Sequence, residues 1–206
     1  MAGERMTSTE IWLRLIHTGS LCGDVMLEAA ARLQKQEHLN VLVARNAGLT
    51  AKQAERFFAL DESELERSLM WLEQPGHHLL TANHPLYPPL LRTIPDYPGA
   101  LFIKGNPETL NTVQLAVVGS RAPSWYGERW GKILCEQLSQ SGFTITSGLA
   151  CGIDGVAHSA ALSVKGRSVA VLGNGLFSIY PRRHQALAMR LIESDGAIEI
   201  GRASCR

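Results

Sequence analysis

The sequence predicts an α/β protein in which a parallel sheet follows a small all-helical region. Three apolar runs, at residues 115–121, 144–154 and 169–175, each lead into a glycine turn and recur about 27 residues apart. That interval accommodates one strand and one crossover helix, and such crossovers join parallel strands. The three glycine turns are therefore expected at the carboxyl ends of the strands, where open α/β folds bind ligands.

Residues 1–78 are expected to form the helical domain, because apolar side chains recur there at helical spacing. Thr50 and Gln53 form a capping-box pair that marks the start of one helix. Asp61 and Glu64 form a second such pair. Helical bundles of this size serve either as interaction modules or as scaffolds without a ligand, and the sequence leaves both open.

Residues 79–112 are predicted to connect the two domains while packing on the sheet. Seven of the nine prolines fall between residues 74 and 107, which excludes regular helix for most of this stretch. The segment keeps many large apolar residues, so it is not expected to be a flexible tether. Within it, residues 101–104 (LFIK) are predicted to form an edge strand.

Residues 113–206 are predicted to form the sheet domain. Its strands are almost entirely apolar, as expected where helices cover both faces of a parallel sheet. The expected strands are 114–118, 143–147, 168–172 and 196–200, and the expected helices are roughly 125–140, 154–165 and 182–194.

The composition is that of an ordinary soluble protein, with 45% hydrophobic and 19% charged residues. No apolar run reaches 18 residues, and the amino terminus lacks the apolar core of a signal peptide. A cytoplasmic location without membrane contact is therefore expected. The four cysteines show neither C-x-x-C nor metal-ligand spacing, which indicates free thiols and no metal site.

The net charge of +1 conceals an asymmetry between the two halves. Residues 1–112 contain 10 Lys and Arg against 13 Asp and Glu, a charge of −3, whereas residues 113–206 contain 10 against 6, a charge of +4. The half that carries the glycine turns therefore favours an anionic partner. A solvated basic face without a ligand is the alternative interpretation.

The first turn, Gly119-Ser120-Arg121, has the composition of a phosphate-binding loop. Glycine allows the backbone to approach a ligand closely, and backbone N–H groups and the Ser120 hydroxyl can donate to phosphate oxygens. Arg121 would add a contact that is always charged. Alternatively, Arg121 caps the sheet edge through a salt bridge.

The second turn spans residues 147–154 (SGLACGID) and again combines serine with glycine. Asp154 is predicted to be the N-cap of the next helix, and His158, one turn later, is positioned to form a hydrogen bond with it on the cleft side. Such a pair can serve acid–base chemistry, although a structural cap is the favoured interpretation. Cys151 has no partner at a spacing typical of a nucleophile.

The third turn begins with Gly173 and Gly175 and is close to the dinucleotide-binding pattern G-x-G-x-x-G. The match fails because Ser178 replaces the third glycine and Tyr180-Pro181 interrupts the chain before a helix can start. The helix is expected to begin at Pro181. Tyr180 would then present an aromatic ring for a nucleic-acid base, with Arg182 and Arg183 beside it; a buried tyrosine with a solvated arginine pair is the alternative.

In this order and spacing the motifs resemble the DprA/Smf family of DNA-processing proteins. The matching segments are VVGSR, SGLACGIDGVAH, and VAVLGNG followed by YPRRH, with YPPLL and DYPGAL upstream. The resemblance implies a Rossmann-like sheet domain preceded by a SAM-like helical domain. It also implies a protein without enzymatic activity or cofactor that binds single-stranded DNA, loads RecA onto it and protects incoming strands during natural transformation. Full-length members are expected to form homodimers.

The resemblance assigns the DNA-binding or phosphate-binding positions to the three loops. Carried over residue by residue, they are Gly119, Ser120, Arg121, Ser147, Gly148, Gly152, Asp154, His158, Gly173, Gly175 and Tyr180, to which Arg182 and Arg183 are added from their position behind the tyrosine. Cys151 stands where many relatives carry a larger or basic residue.

The resemblance extends to about residue 199. Family members continue with a Phe-Pro-x-Arg-Asn-Arg segment and further strands, whereas this sequence ends in Gly-Arg-Ala-Ser-Cys-Arg. A carboxyl-terminally truncated member is therefore expected, with a tail that arose by a frameshift or at a fusion junction. Its sheet of about four strands would leave apolar faces and one edge uncovered.

Two enzyme classes are the alternatives to a DNA-binding protein. A nucleotide-processing enzyme, similar to phosphoribohydrolases, needs an acid or a base, for which Asp154, His158 and Glu199 are available. An NAD-dependent oxidoreductase would depend on Gly173-x-Gly175 alone.

Overall fold

A computed structural model describes residues 5–19, 21–173, 175 and 177–200. The chain divides into two compact units. The first contains the residues before Gly76 together with residues 79–101, and the second contains residues 76–78 and the chain from Phe102 onward. The unusual tail, with Cys205, lies outside the described residues. The other cysteines, Cys22, Cys135 and Cys151, are free thiols.

The first unit is built from five short helices. They are α1 (Ser8–His17), α2 (Gly23–Leu33), α3 (Val41–Asn46), α4 (Ala51–Phe58) and α5 (Glu62–Leu72). Their apolar faces meet in a core around Leu15, Leu33 and Phe57, all fully buried. Thr50 forms the predicted capping box with Gln53.

The start of α5 shows a variation on the predicted cap. Asp61 is its N-cap, but the carboxylate accepts the N–H of Ser63, two residues on, at 2.9 Å. The hydrogen bonds from Ser63 hold the pKa of the Asp61 carboxyl below its usual value. Glu64 was predicted to complete the capping box with Asp61. Its backbone N–H instead donates to the Asp61 carbonyl.

The proline-rich segment at residues 79–101 makes close contacts with the helices of its own unit. The N–H of Gly23 donates to the carbonyl of Tyr97 at 2.8 Å, and the Tyr97 hydroxyl donates to Asp24 at 2.7 Å. Gly99 lies so close to Met26 that a Cβ there would be 2.5 Å from the sulfur. These contacts explain why the segment is ordered despite its prolines. The domain boundaries at residues 78 and 112 stay a prediction.

The second unit contains most of a six-stranded sheet of order β1-β2-β6-β5-β4-β3. The strands are β1 (His77–Thr81), β2 (Ala100–Gly105), β3 (Gln114–Ala116), β4 (Thr144–Ser147), β5 (Ser168–Val171) and β6 (Ala197–Ile200). Strands β3 to β6 pair in parallel, and β2 pairs antiparallel with β6. The predicted fold class, an α/β protein with a Rossmann-like parallel sheet preceded by a small helical domain, is confirmed, and the sheet is mostly parallel.

One detail of the predicted sheet is wrong. Residues 101–104 do not form an edge strand, because β2 lies between β1 and β6. The apolar side chains of Leu101, Phe102 and Ile103 are accordingly buried. The error has a physical cause: β1, at residues 77–81, lies in the proline-rich stretch, and its pairing is not visible in local sequence patterns.

Three helices connect the parallel strands at nearly the predicted positions: α6 (Trp125–Gln140), α7 (Ile153–Ser163) and α8 (Gln185–Glu193). Helix α7 is buried along much of its length, and Ala157, Ala160 and Ala161 pack with Ile145 of β4. No helix in the described ranges is long and apolar enough to cross a membrane.

An apolar surface is exposed where β3 forms one edge of the sheet. Val113 and Val118, which flank this strand, are 68% and 81% exposed. On α6, Tyr126, Trp130 and Leu134 recur at four-residue intervals and are also exposed. Large exposed apolar surfaces of this kind usually contact another polypeptide.

Candidate nucleic-acid interface

Three loops lie at the carboxyl ends of β3, β4 and β5. These strands are neighbours in the sheet and run in parallel, so the loops that follow them meet at one edge. This is the arrangement that the spacing of the glycine turns predicts.

The loop after β3 offers exposed donors. Gly119, Ser120 and Arg121 are all exposed, and no hydrogen bond found within the described chain uses their backbone N–H groups. The Ser120 oxygen accepts the N–H of Ala122 at 3.1 Å, which leaves its hydroxyl hydrogen available to a ligand. Helix α6 follows, capped by the side chain of Ser124. The loop therefore presents several N–H and O–H groups and one guanidinium to solvent.

Arg121 does not form the salt bridge of the alternative interpretation. The ion pairs found among the described residues involve other side chains. Its guanidinium is therefore available to an anion rather than neutralised by a carboxylate.

The loop after β4 supports the first loop from behind. The N–H of Ile153 donates to the carbonyl of Ser120 at 3.1 Å. Gly152 adopts a φ of +82°, and a Cβ at this position would lie 2.2 Å from the Ser120 carbonyl oxygen. A Cβ at Gly119 would lie 2.7 Å from the side chain of Ile153. At residue 152 only glycine permits the two backbones to approach so closely, and at residue 119 only glycine leaves room for the Ile153 side chain.

Asp154 does not cap α7 as predicted. The helix begins at Ile153 with Gly152 as its N-cap, and Asp154 lies in the first turn. Its carboxylate turns back to accept the N–H groups of Gly148 and Ala150, at 3.1 and 3.2 Å. The prediction fails because the preceding loop folds over the helix start and brings its own unpaired donors to the carboxylate.

Ser147 is likewise engaged within the protein. Its hydroxyl donates to the carbonyl of Val117 at 2.7 Å, and the residue is buried. Ser147 and Asp154 thus fix the shape of the second loop, and the Gly148 N–H already has a protein acceptor.

His158 lies beneath the loops and not on the cleft. It is fully buried, and Nδ1 is 2.7 Å from the Ser168 hydroxyl. That hydroxyl donates its only hydrogen to the carbonyl of Ile145, so Nδ1 of His158 must carry a proton and donate. The predicted hydrogen bond to Asp154 is absent from the described contacts, because the two side chains bond to different partners.

Burial lowers the pKa of His158 to about 4, which keeps the ring neutral at physiological pH. Its Nε2 has no hydrogen-bond partner among the residues that the structure describes. A neutral, enclosed imidazole can neither contact a DNA strand nor exchange protons with a bound substrate. The acid or base that the phosphoribohydrolase alternative requires is therefore not assembled from Asp154 and His158.

The loop after β5 contributes exposed residues. Gly173 is exposed, and Gly175 has a φ of +81°. Tyr180 is 70% exposed and is not the buried tyrosine of the alternative interpretation. Arg182 and Arg183 are exposed in a single turn of 3-10 helix that leads into α8.

His184 is a positioning residue that sequence reasoning missed. Its Nδ1 donates to the carbonyl of Leu149 at 2.8 Å and so ties the third loop to the second. Gly155 of α7 faces the ring, and a Cβ there would lie 2.8 Å from it. The available signal was the YPRRH segment, in which this histidine follows the two arginines.

Glu199 lies on β6, in register with Val171 at the carboxyl end of β5. Burial raises the pKa of its carboxyl to about 7, so a substantial fraction is neutral at physiological pH. This reduces the repulsion that a carboxylate would exert on an anion near the third loop. Within the described ranges, no three His, Cys, Asp or Glu side chains are grouped to hold a metal.

Comparison with protein-family models gives matches that cover most of the chain. Residues 78–200 match the model of DNA recombination-mediator protein A, and residues 6–70 match the SMF/DprA SAM domain. Protein Smf of Escherichia coli (strain K12) is 56% identical over 193 residues, which cover 94% of this chain and 52% of that protein. DNA processing protein DprA of Bacillus subtilis (strain 168) is 36% identical over 61% of this chain and 42% of its own length. The chain thus spans about half the length of these relatives.

Solved structures agree with the sequence matches. The X-ray structure of DprA from Streptococcus pneumoniae superimposes with a TM-score of 0.71 at 30% identity, covering 95% of this chain and 68% of that one. A Helicobacter pylori DprA structure, described for its single-stranded DNA binding mode, gives 0.52 at 26% identity over 60% of this chain and 54% of its own. Taken with the three loops, these matches establish that the chain belongs to the DprA/Smf family.

Proposed function

We propose that this chain binds single-stranded DNA at the three loops, without sequence preference and without catalysing a reaction. The observation that carries the proposal is the exposed 119–121 loop, whose N–H groups and guanidinium have no partner among the described residues. Unpaired backbone donors next to an arginine are suited to phosphate oxygens. The single-stranded DNA binding described for the Helicobacter pylori relative supports the same conclusion.

In this proposal the residues divide into contacts and supports. Gly119, Ser120 and Arg121 receive phosphates. Tyr180 offers its exposed ring to a base, and the neighbouring arginines add positive charge. The supporting group keeps these contacts in place through the backbone approaches and hydrogen bonds described above, and it comprises Ser147, Gly148, Gly152, Asp154, His158 and His184. Gly173 and Gly175 allow the third loop to turn toward the bound DNA strand.

The cellular role is proposed from the family. We place the chain in the cytoplasm, where it would hold incoming single strands during natural transformation and pass them to RecA for recombination. Its full-length relatives would act as homodimers. These roles are consistent with DNA processing proteins among its relatives.

The test is a salt titration of binding to fluorescently labelled oligo-dT, followed by anisotropy. Each phosphate contact on a single strand contributes about 0.7 to the slope of log K against log salt. Arg121→Ala is expected to weaken binding and to reduce the slope by about that amount. Arg167→Ala is the matched control, because Arg167 is exposed but precedes β5, at the opposite end of the strands.

Unchanged affinity and slope in Arg121→Ala would contradict the proposal. So would tight binding of mononucleotides or dinucleotide cofactors by a wild-type protein that does not bind oligo-dT, because that result favours the enzyme classes.

A further inference from the structure

A groove with a volume of about 800 Å³ lies between α6, α7 and α8, next to the three loops. Its floor is one face of α7, from Gly152 and Gly155 through Ser159 to Ser163. These residues are small, which leaves room above the helix, and the His184 ring lies over Gly155 at the end nearest the loops. At 1.5 Å per residue, the 11 residues of α7 span about 16 Å.

The groove begins at the phosphate-binding loops. Gly152, which touches the Ser120 carbonyl, is part of its lining, and so is His184, which ties the third loop to the second. A DNA strand bound at the loops could therefore continue directly into the groove.

The walls of the groove are positively charged. Arg129 and Lys132 come from α6 and Arg190 from α8, against a single acidic residue, Glu128. Arg129 and Arg190 take part in no ion pair found in the described part of the chain. Lys132 has only an exposed, 3.8 Å contact with Glu136. The charge therefore favours an anionic occupant.

An exposed aromatic side chain stands at one wall. Trp125 is the first residue of α6 and is 70% exposed, with the Arg129 guanidinium 5.3 Å from its ring. Aromatic rings beside cations in a basic groove are the usual platforms for unstacked nucleic-acid bases. An acidic peptide would satisfy the charges, but it would not explain the open ring or the continuity with the loops.

We propose that the groove holds a further stretch of the single strand bound at the loops, with Trp125 stacking on a base and Arg129 and Arg190 contacting phosphates. This inference rests on the proposed function, because it extends the same DNA path. At the 3.4 Å rise of stacked nucleotides, the length of α7 accommodates about five of them. The binding site of the chain is then longer than the three loops.

The experiment compares oligo-dT of increasing length, from 4 to 20 nucleotides, in wild-type protein and four variants. Trp125→Ala and the double variant Arg129→Ala/Arg190→Ala are expected to bind long oligonucleotides at least fivefold more weakly, as loss of one stacked base implies, and short ones unchanged. Arg121→Ala is expected to lose affinity at every length. Trp130→Ala is the matched control, because Trp130 is exposed on α6 but does not line the groove.

The outcomes separate the two proposals. If wild-type protein binds no oligo-dT of any length, the proposed function fails. If it binds, and the groove variants match wild type at all lengths, the function stands and the groove inference is overturned. It is also overturned if these variants lose binding of a poly-glutamate peptide while keeping full affinity for long oligo-dT, since that result assigns the groove to an acidic polypeptide.

Discussion

Gly152→Ala should separate the loop after β3 from the loop after β4. It is the sharpest structural test of the candidate nucleic-acid interface. The new Cβ would lie 2.2 Å from the Ser120 carbonyl oxygen and 2.7 Å from the carbonyl carbon of Arg121. Contacts of real Cβ atoms are essentially never shorter than 3.0 Å, so the difference between 3.0 and 2.2 Å requires the backbones to separate by 0.8 Å. Such a shift disturbs the hydrogen bond from Ile153 to Ser120.

The cost can be estimated against a matched variant. Gly142 also has a positive φ, of +91°, but a Cβ there would meet no atom of the described residues within 4 Å. Both alanine variants therefore carry the backbone strain of about 1–2 kcal/mol. Only Gly152→Ala adds overpacking and a weakened hydrogen bond, together about 2–4 kcal/mol.

The assay is chemical denaturation of both variants, with oligo-dT binding measured where each is folded. We expect Gly152→Ala to be the less stable variant and to bind the oligonucleotide more weakly, because the 119–121 donors have moved. Gly142→Ala is expected to keep wild-type affinity. Equal stability and equal affinity in the two variants would refute the close approach of the loops.

Three further changes test the supports beneath the loops. Burial lowers the pKa of His158 from 6.5 to about 4 and raises that of Glu199 from 4.5 to about 7. The two groups therefore change the free energy of unfolding with pH in opposite directions, by about 3 kcal/mol each. In His158→Gln only the Glu199 contribution remains, so the free energy of unfolding should fall as pH rises from 4.5 to 7. In Glu199→Gln only the His158 contribution remains, so this free energy should fall as pH drops from 6.5 to 4. Denaturation curves that respond to pH identically in both variants would show that the two side chains are not buried as described. Asp154→Ala should cost about 1–3 kcal/mol and weaken oligo-dT binding, because it leaves the N–H groups of Gly148 and Ala150 without their acceptor; wild-type stability and affinity would contradict that role.

The sequence predicted the strands and helices of the second unit well, because each parallel strand is a short apolar run bounded by a glycine turn. The placement of the 119–121 loop at a shared edge followed from crossover spacing alone. Both signals, one local and one topological, can be recognised in the sequence without knowledge of side-chain contacts.

Side-chain partners were predicted less well. Asp154 has the spacing of a helix cap, yet the loop that precedes it supplies better-placed donors. His158 lies one turn further along α7, on a face that the sheet covers. The contact of His184 with Leu149 joins residues 35 positions apart. Each of these depends on tertiary contacts that no local pattern records.

The most direct test of DNA binding at the loops is a titration of isotope-labelled protein with oligo-dT, followed through backbone amide NMR shifts. Binding at the loops should shift the amides of Gly119, Ser120 and Arg121 most strongly, because their N–H groups meet phosphate oxygens. The amide of Gly142, at the opposite end of the strands, should remain unchanged. Saturable binding that leaves residues 119–121 unshifted would contradict the proposed interface.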